Sequence, residues 1–336
     1  MYCFNQKNVL ILFFILTLWT SLVTCNKLLE RHEQWMEEHG KSYKDAAEKE
    51  KRFQIFKQNL EFIESFNAAG DSGFNLSINQ FADQTNEEFN GQKKPLTDVE
   101  IAASEERVFR YENVTDVPST MDWRERGAVT PIKHQHLCGS CWAFATVAAT
   151  EGINQITTGR LVSLSEQELV DCVKTNTTYG CKGGYSEDAY DFIVKKGGIT
   201  SEAKYPYKRV DGKCNIKKSS HIVANIKGYE TVPANNEKAL LKAVANQPVG
   251  VYIASGKRAF QFYSSGILGE ECGIIDLDHA VTIVGYGTND DGVKYWLVKN
   301  SWGTKWGEKG YVKFKRDIHA KEGVCGLAMV PTYPIV

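Results

Sequence analysis

Apolar positions along this chain follow two different periods. From about residue 26 to 90 they return every three or four positions, as along one face of a helix. Leu28 to His39 reads as a short amphipathic helix stopped by Gly40, and Ala46 to Ala69 as a long one stopped by Gly70. Within the long helix Glu48, Arg52, Phe56, Asn59, Ile63 and Asn67 recur at steps of four, four, three, four and four, so all six share one face. Periodicity alone reads that face as a core stripe with one i,i+4 ion pair.

Residues 91–116 are polar and charged, with Lys93-Lys94-Pro95 and Ser104-Glu105-Glu106-Arg107, and read as an extended, exposed linker. Beyond it, helical patterns hold at Trp142 to Thr157, Ser165 to Val170 and Glu187 to Lys195. After about Ile226, alternating and β-branched runs take over: Val249 to Ile253, Ala280 to Val284, Tyr295 to Lys299 and Gly310 to Phe314. Gly285-Tyr286-Gly287 and Asn289-Asp290-Asp291-Gly292 are expected to be turns between strands. A helix-rich stretch followed by a strand-rich one predicts an α+β protein of two subdomains, about 126–225 and 226–325.

The first 25 residues depart from both periods. The apolar run Val9 to Trp19 follows a single charge at Lys7 and leads into Thr20 to Cys25. Its apolar core of about 11 residues falls short of the roughly 20 that span a bilayer, so 1–25 reads as a cleaved signal peptide. No later stretch is long and apolar enough to serve as a membrane anchor, and a soluble product is expected. The formal net charge of −1, from 40 basic and 41 acidic residues, gives no reason to expect nucleic acid or an anionic membrane as a partner.

Candidate chemistry enters with the cysteines. Of nine, Cys3 and Cys25 leave with the signal; Cys138, Cys141, Cys172, Cys181, Cys214, Cys272 and Cys325 remain, all beyond the linker. In an oxidising compartment six pair and one is left over, either as an intermolecular linker or as a functional thiol. Sequons at Asn75, Asn113 and Asn176 mark candidate glycosylation sites and fit secretory passage.

Two of these cysteines stand in His136-Leu137-Cys138-Gly139-Ser140-Cys141-Trp142-Ala143-Phe144, directly before a helical run. A C-x-x-C admits a redox couple, half of a zinc site, or two cysteines with separate jobs. Cys141 stands at the helix start with Ser140 placed as a cap, where the positive end of the helix favours a thiolate. Among seven histidines, His279 in Leu277-Asp278-His279-Ala280 is the foremost base candidate. Asn300, in Lys299-Asn300-Ser301-Trp302-Gly303, has a carbonyl that accepts from an imidazole and orients it. Gln135 has an amide to donate to a developing oxyanion beside the Cys141 N–H. Each of these residues, taken singly, also fits a structural role.

Their combination is more specific. Cys-Gly-Ser-Cys-Trp surrounds the nucleophile of papain-like proteases; His279 follows Cys141 by 138 residues, inside the roughly 130–150 usual for that family, and Asn300 follows by 159, slightly beyond. The sequence resembles the papain-like cysteine proteases of the cathepsin L-like subgroup, close to plant senescence-associated members, over essentially its whole length. Glu48, Arg52, Phe56, Asn59, Ile63 and Asn67 match that subgroup's ERFNIN pro-region motif at every position. A second pro-region motif, G-x-N-x-F-x-D, appears as Ser77-Ile78-Asn79-Gln80-Phe81-Ala82-Asp83, with serine in place of the leading glycine.

The resemblance implies a helical subdomain and a β-barrel-like subdomain with the active-site cleft between them. It implies an inhibitory propeptide over 26–116 and a mature peptidase over 117–336, starting near Val117-Pro118. It pairs Cys138 with Cys181, Cys172 with Cys214 and Cys272 with Cys325, which leaves Cys141 as the nucleophile. Protonated His279 then serves the leaving amine, Asn300 orients His279, Gln135 and the Cys141 N–H hold the oxyanion, and Trp302 shields the His279–Asn300 bond from water. No cofactor and no metal is implied. Expected partners are polypeptide substrates, the protein's own propeptide and cystatin-type inhibitors, acting on a monomer. The chain ends Tyr333-Pro334-Ile335-Val336 with no Lys-Asp-Glu-Leu, and the expected destination is a lytic vacuole, a lysosome-like compartment or the outside of the cell.

For specificity, the resemblance places the substrate backbone against Gly183 and Gly184, with Asp278 also at the cleft. Tyr185, Ser186, Tyr252, Leu277, Ala280 and Val330 line the second pocket. Ser186 stands where proline or methionine is common and Tyr252 where a small residue is common, while Val330 offers no acid. Small or medium apolar P2 residues, such as valine or proline, are therefore expected to be preferred. His134, His136 and Leu137 stand where asparagine, glycine and serine are common. The competing reading is an inactive homologue that binds or stores; such proteins typically lose the nucleophile or base, and this sequence retains both.

Overall fold

The computed structural model describes residues 26–70, 72–91, 109–269, 272–273 and 276–336. The signal peptide read at 1–25 lies outside these residues, as does most of the linker. Helix α1 (26–39) stops at Gly40, and α2 (Ala46–Ala69) runs from an Asp45 cap, whose carboxylate accepts the Glu48 amide at 2.8 Å, to Gly70 in the left-handed region. The five helices that the periodicity predicts start and stop within two residues of the expected boundaries, while four more, at Asn86–Gly91, Ile216–Ser219, Glu237–Asn246 and Arg258–Gln261, were not expected.

The six-residue face of α2 is more than a core stripe. Phe56 and Ile63 are buried, but the polar members bind the chain that follows. Asn67 takes both main-chain groups of Leu76, at 2.8 and 2.9 Å, at the end of β1 (Phe74–Leu76). Asn59 donates to the carbonyls of Ala82 and Gln84, each at 2.9 Å. Arg52 reaches Glu48 at 2.7 Å, the Asp83 carbonyl at 2.9 Å and Glu88 at 2.6 Å. Glu88 sits in α3 (Asn86–Gly91), where it and Thr85 form a reciprocal capping box, each accepting the other's amide at 3.1 Å. A buried carbonyl without a donor is costly, so these side chains fix the 77–85 turn.

The rest of the chain forms two cores about one helix. After β2 (Met121–Asp122), helix α4 (Cys141–Thr158) packs with α5 (Glu166–Cys172) and α6 (Ser186–Lys196) over Trp142, Val147, Leu169, Tyr190 and Ile193. The hairpin β3 (Ile199–Thr200) and β4 (Ile222–Ala224), with the short α7 (Ile216–Ser219) between its strands, closes this half. The second core lies in a sheet built from β5 (Gly228–Thr231), β6 (Val249–Ile253), β7 (Tyr263–Leu268), β8 (His279–Thr288), β9 (Lys294–Lys299), β10 (Tyr311–Lys315) and β11 (Thr332–Ile335). Helices α8 (Glu237–Asn246) and α9 (Arg258–Gln261) precede β6 and β7. The strand order is β1-β7-β10-β9-β8-β6-β11-β5, with β2 paired to β8; all pairs are antiparallel except β10 with β7. The N-terminal segment thus supplies the edge strand of the sheet through β1.

Two sequence expectations change. Gly285-Tyr286-Gly287 is not a turn but lies within β8, opposite Leu297, Trp296 and Tyr295. Its glycines make room: a Cβ on Gly285 would stand 2.2 Å from the Met121 carbonyl oxygen, and one on Gly287 would stand 2.7 Å from the Tyr295 hydroxyl. The linker is not exposed throughout either. Phe109 is buried against Tyr333, Tyr111 donates to Gln247 at 2.8 Å, and Arg110 pairs with Glu230 at 3.0 Å. Two aromatic rings among the charges drive this docking. Cys138–Cys181, Cys172–Cys214 and Cys272–Cys325 are disulfide-bonded. Asn75, Asn113 and Asn176 are all exposed.

Candidate active site

The cleft lies where α4 meets β8. Cys141 opens α4, outside the three bridges, and His279 opens β8; both line the cleft. Around them stand Gln135, Gly183, Gly184, Tyr252, Asp278, Ala280 and Trp302. No side-chain oxygen caps α4. The expected Ser140 cap is replaced: Ser140 is fully buried and its hydroxyl bonds the Tyr207 hydroxyl at 2.8 Å. The first-turn amides keep their positive field at Cys141, which favours a thiolate there.

Hydrogen bonds settle the orientation of the polar groups. The Ser301 amide donates to Asn300 Oδ1 at 2.7 Å, so that atom is the oxygen, and it also accepts from His279 Nε2 at 2.8 Å. Nε2 therefore carries a proton and Nδ1 is the ring nitrogen not engaged by Asn300. Trp302 stacks on the His279 ring at 4.6 Å between centroids, and His279 and Asn300 are each 2% exposed. Gln135 donates from Nε2 to the Cys138 carbonyl at 2.9 Å, and its Oε1 accepts from Ser301 Oγ at 2.6 Å. An amide nitrogen has two protons, so a second Nε2 proton remains to donate.

Ser301 and Tyr207 escaped the sequence reading. Ser301 aligns both Asn300 and Gln135, and Tyr207 donates to the Gln135 carbonyl at 2.9 Å. Ser301 had a signal, being next to Asn300; Tyr207, 72 residues from Gln135, had none.

Tyr252, Leu277 and Ala280 pack in a small apolar group with Ala145, and Val330 and Cys141 lie against it. The Tyr252 hydroxyl accepts the Ser186 amide at 2.7 Å and donates to Glu187 at 3.2 Å, so its ring is pinned to the start of α6. Tyr185 stands 6.5 Å away, ring to ring. Gly183, at φ +109°, adopts a backbone that favours glycine, and a Cβ on Gly184 would fall 2.9 Å from the Trp142 ring. Asp278 accepts from the Ser255 amide at 2.7 Å and hydroxyl at 2.8 Å.

The N-terminal segment reaches this cleft. Phe81 and Phe89 meet Trp302 edge-on, at 5.3 and 5.6 Å, and Gln80 donates to the Trp302 carbonyl at 2.8 Å. Asn79 donates to the Gln261 carbonyl at 2.8 Å, and both phenylalanines and Gly91 line the cleft. The 92–108 portion of the segment lies outside the described residues. Beneath the site, Lys133 bridges Glu151 at 2.9 Å and Glu166 at 2.6 Å. Burial raises Glu166 to about 7; it works against Glu151 too, but Lys133 and Lys299 hold that carboxyl below its ordinary value. Among the described residues no cluster of histidine, cysteine and carboxylate side chains is arranged to hold a metal.

A cysteine at a helix start, a histidine bonded to an asparagine, and an N-terminal segment lining the same cleft are the features expected of a thiol peptidase in its proform. The papain family cysteine protease pattern matches residues 117–335, and the cathepsin propeptide inhibitor domain matches 32–89. The chain belongs to the papain family of cysteine proteases. It is 56% identical to the senescence-specific cysteine protease SAG39 of Oryza sativa subsp. japonica, over 90% of this chain and 89% of that one. It is 50% identical to the senescence-specific cysteine protease SAG12 of Arabidopsis thaliana, over 91% and 90%. Among solved structures it is similar to the proform of the ragweed pollen allergen cysteine protease Amb a 11 (TM-score 0.85, 43% identity, 92% of this chain and 94% of that one) and to a recombinant stem bromelain precursor (TM-score 0.83, 43% identity, 92% and 99%). The protein is a cysteine protease zymogen whose propeptide inhibits the protease domain.

Proposed function

We propose that this zymogen, once processed near Val117, is an endopeptidase using Cys141 as nucleophile, His279 as acid and base, Asn300 to orient His279, and Gln135 with the Cys141 amide as oxyanion donors. The observation that carries the reading is the His279 Nε2–Asn300 Oδ1 bond under Trp302, since it leaves Nδ1 for exchange with the thiol. The thiolate attacks the scissile carbonyl, the Nδ1 proton passes to the departing amine, and water activated by His279 releases the acyl group. The second Gln135 Nε2 proton and the α4 amide suit the oxygen that gains charge.

Pinned Tyr252 and acid-free Val330 support a shallow P2 pocket that favours valine or proline. The exposed sequons and the family's propeptide architecture support passage through the secretory pathway to a lytic vacuole or the cell exterior, with general protein breakdown as the role. An irreversible thiol-directed epoxide should label the processed enzyme at Cys141. Gln135→Ala should keep that labelling yet lower kcat by about 100- to 1000-fold, the usual loss for one oxyanion donor. No labelling at Cys141 sinks the assignment, and strongest cleavage after P2 arginine in a peptide library sinks the pocket reading.

A further inference from the structure

His134 and His136 flank Gln135, and their rings stack at 3.8 Å between centroids and 4° between planes. The main chain of His136 is left-handed, at φ +55°, a conformation uncommon for a residue with a Cβ, though histidine enters it more readily than most. The His136 amide donates to His134 Nδ1 at 2.9 Å, in addition to the bonds that Ser301, Tyr207 and Cys138 make to Gln135. A main-chain amide is only a donor, so Nδ1 must carry a lone pair. That fixes His134 as the neutral, Nε2-protonated tautomer without any appeal to its titration.

The His134 ring has little freedom to look elsewhere. Its residue forms an antiparallel bridge with Trp302, and a Cβ on Gly303 would stand 2.9 Å from its Cδ2, so the ring lies between Gly303 and the His136 ring. The groups that bear on its charge are His136 on its own segment and Arg209 from the loop beyond Tyr207. The segment across the bridge presents Trp302 and Gly303, which carry no charge. Burial, then His136, then Arg209 all disfavour the imidazolium and bring His134 down to about 4.

We propose that His134 is a positioning residue whose ring nitrogen locks the left-handed His136 main chain, and with it the Gln135 amide, and that acid opens this lock. When His134 takes a proton, Nδ1 becomes a donor facing a donor, and the hydrogen bond to His136 is lost. The His136 main chain is then released to relax, and Gln135 is the adjoining residue. Because the folded pKa lies below 6.5, neutral His134 supports the fold fully above that value. The support declines as pH falls from 6.5 toward 4. The device is particular to this chain's His-Gln-His triplet, and it rests on Gln135 acting as an oxyanion donor.

The discriminating variant is His134→Asn, because an asparagine carbonyl accepts an amide two residues on and does not titrate in this range. With processed enzyme and an internally quenched peptide, the ratio of kcat near pH 3.5 to kcat near pH 6.5 should rise about twofold or more over the parent in His134→Asn, since a pKa of about 4 leaves roughly three-quarters of His134 protonated at pH 3.5. His134→Leu, which has no acceptor, should lower kcat about fivefold or more at both pH values with KM little changed, as expected for one lost hydrogen bond. Adding His136→Gly to it should restore kcat, since glycine adopts the left-handed main chain unaided. An unchanged acid limb in His134→Asn overturns the proposal, as does full neutral kcat in His134→Leu. Where His134→Leu does not fold, nitrogen chemical shifts of His134 in parent enzyme blocked at Cys141 decide independently of activity. The Nε2-protonated form at pH 7 supports the lock and the Nδ1-protonated form overturns it. If Gln135→Ala itself leaves kcat unchanged, the oxyanion reading fails instead, and the nitrogen shifts still report on the lock.

Discussion

The catalytic body and the inhibitory segment are held by different forces. The body carries three disulfides and a buried charge cluster around Lys133. Burial pushes its Glu166 carboxyl up, while Lys133 and Lys299 hold Glu151 below its ordinary value. The segment has no cysteine between residues 26 and 116. Its attachments are amides on main-chain carbonyls, aromatic rings on Trp302, the edge strand β1, and part-exposed ion pairs such as Lys305–Glu38 at 3.7 Å. Arg258 of the body also lies over the Phe62 ring of α2 at 3.9 Å. Every one of these links is non-covalent, whereas all three disulfides lie within the papain-family part, residues 117–335. One chain thus joins a cross-linked protease domain to an inhibitor docked without covalent cross-links.

The largest effect that sharpens this contrast concerns the body. Replacing Cys138 and Cys181 together by alanine opens a loop of sequence separation 43. Chain-entropy reasoning puts the cost at roughly 4 kcal/mol, readable as a lowered urea midpoint of the zymogen. A loss below about 1 kcal/mol would show that the bridge adds little to the durability of the body.

A smaller effect concerns the attachment. Phe89 is 2% exposed and packs on both Phe81, at 5.1 Å, and Trp302. Phe89→Ala should weaken the docking by about 2–3 kcal/mol, raising the neutral-pH activity of uncleaved zymogen by roughly 30- to 150-fold. The body itself should keep its unfolding midpoint after processing. Unchanged zymogen activity would mean that Phe89 adds nothing to the docking of the segment.

The smallest effect concerns pH. Burial works against the Glu88 carboxylate, but Arg52 and the Thr85 amide hold its pKa below the ordinary 4.5. A depressed carboxylate stabilises above its ordinary value, and that support is lost as pH falls through the folded value. Glu88→Gln keeps the capping box but removes the charge, so it should cost the segment about 1 kcal/mol at pH 7 and almost nothing near pH 3. Thermal unfolding of the zymogen at both pH values checks this; an equal loss at both would assign Glu88 a packing role.

Much of this was legible from residue order. Helix α2 begins and ends where Asp45, Gly70 and the apolar period require, because caps and glycine stops act within a few residues. The odd cysteine, the Cys-Gly-Ser-Cys-Trp run and the distant His279 and Asn300 pointed to one site because the spacing is distinctive. The reading of Gly285-Tyr286-Gly287 as a turn failed for a physical reason. Glycine signals missing volume as well as a bend, and only the approach of β2 and Tyr295 shows which applies.

The sequence by itself determined five of the helices, the buried faces, the spare thiol and the family pattern, since these depend on near neighbours or fixed spacing. Only the tertiary structure decided which partner each polar group meets: Ser301 for Gln135, Tyr207 for Ser140, Asn59 for the Ala82 carbonyl, His134 for the His136 amide. Periodicity reports which face is buried, but it carries no record of what lies against that face. A buried donor must find an acceptor, and most of these acceptors stand some 20 to 170 residues away, brought within 3 Å by the packing of two cores around α4.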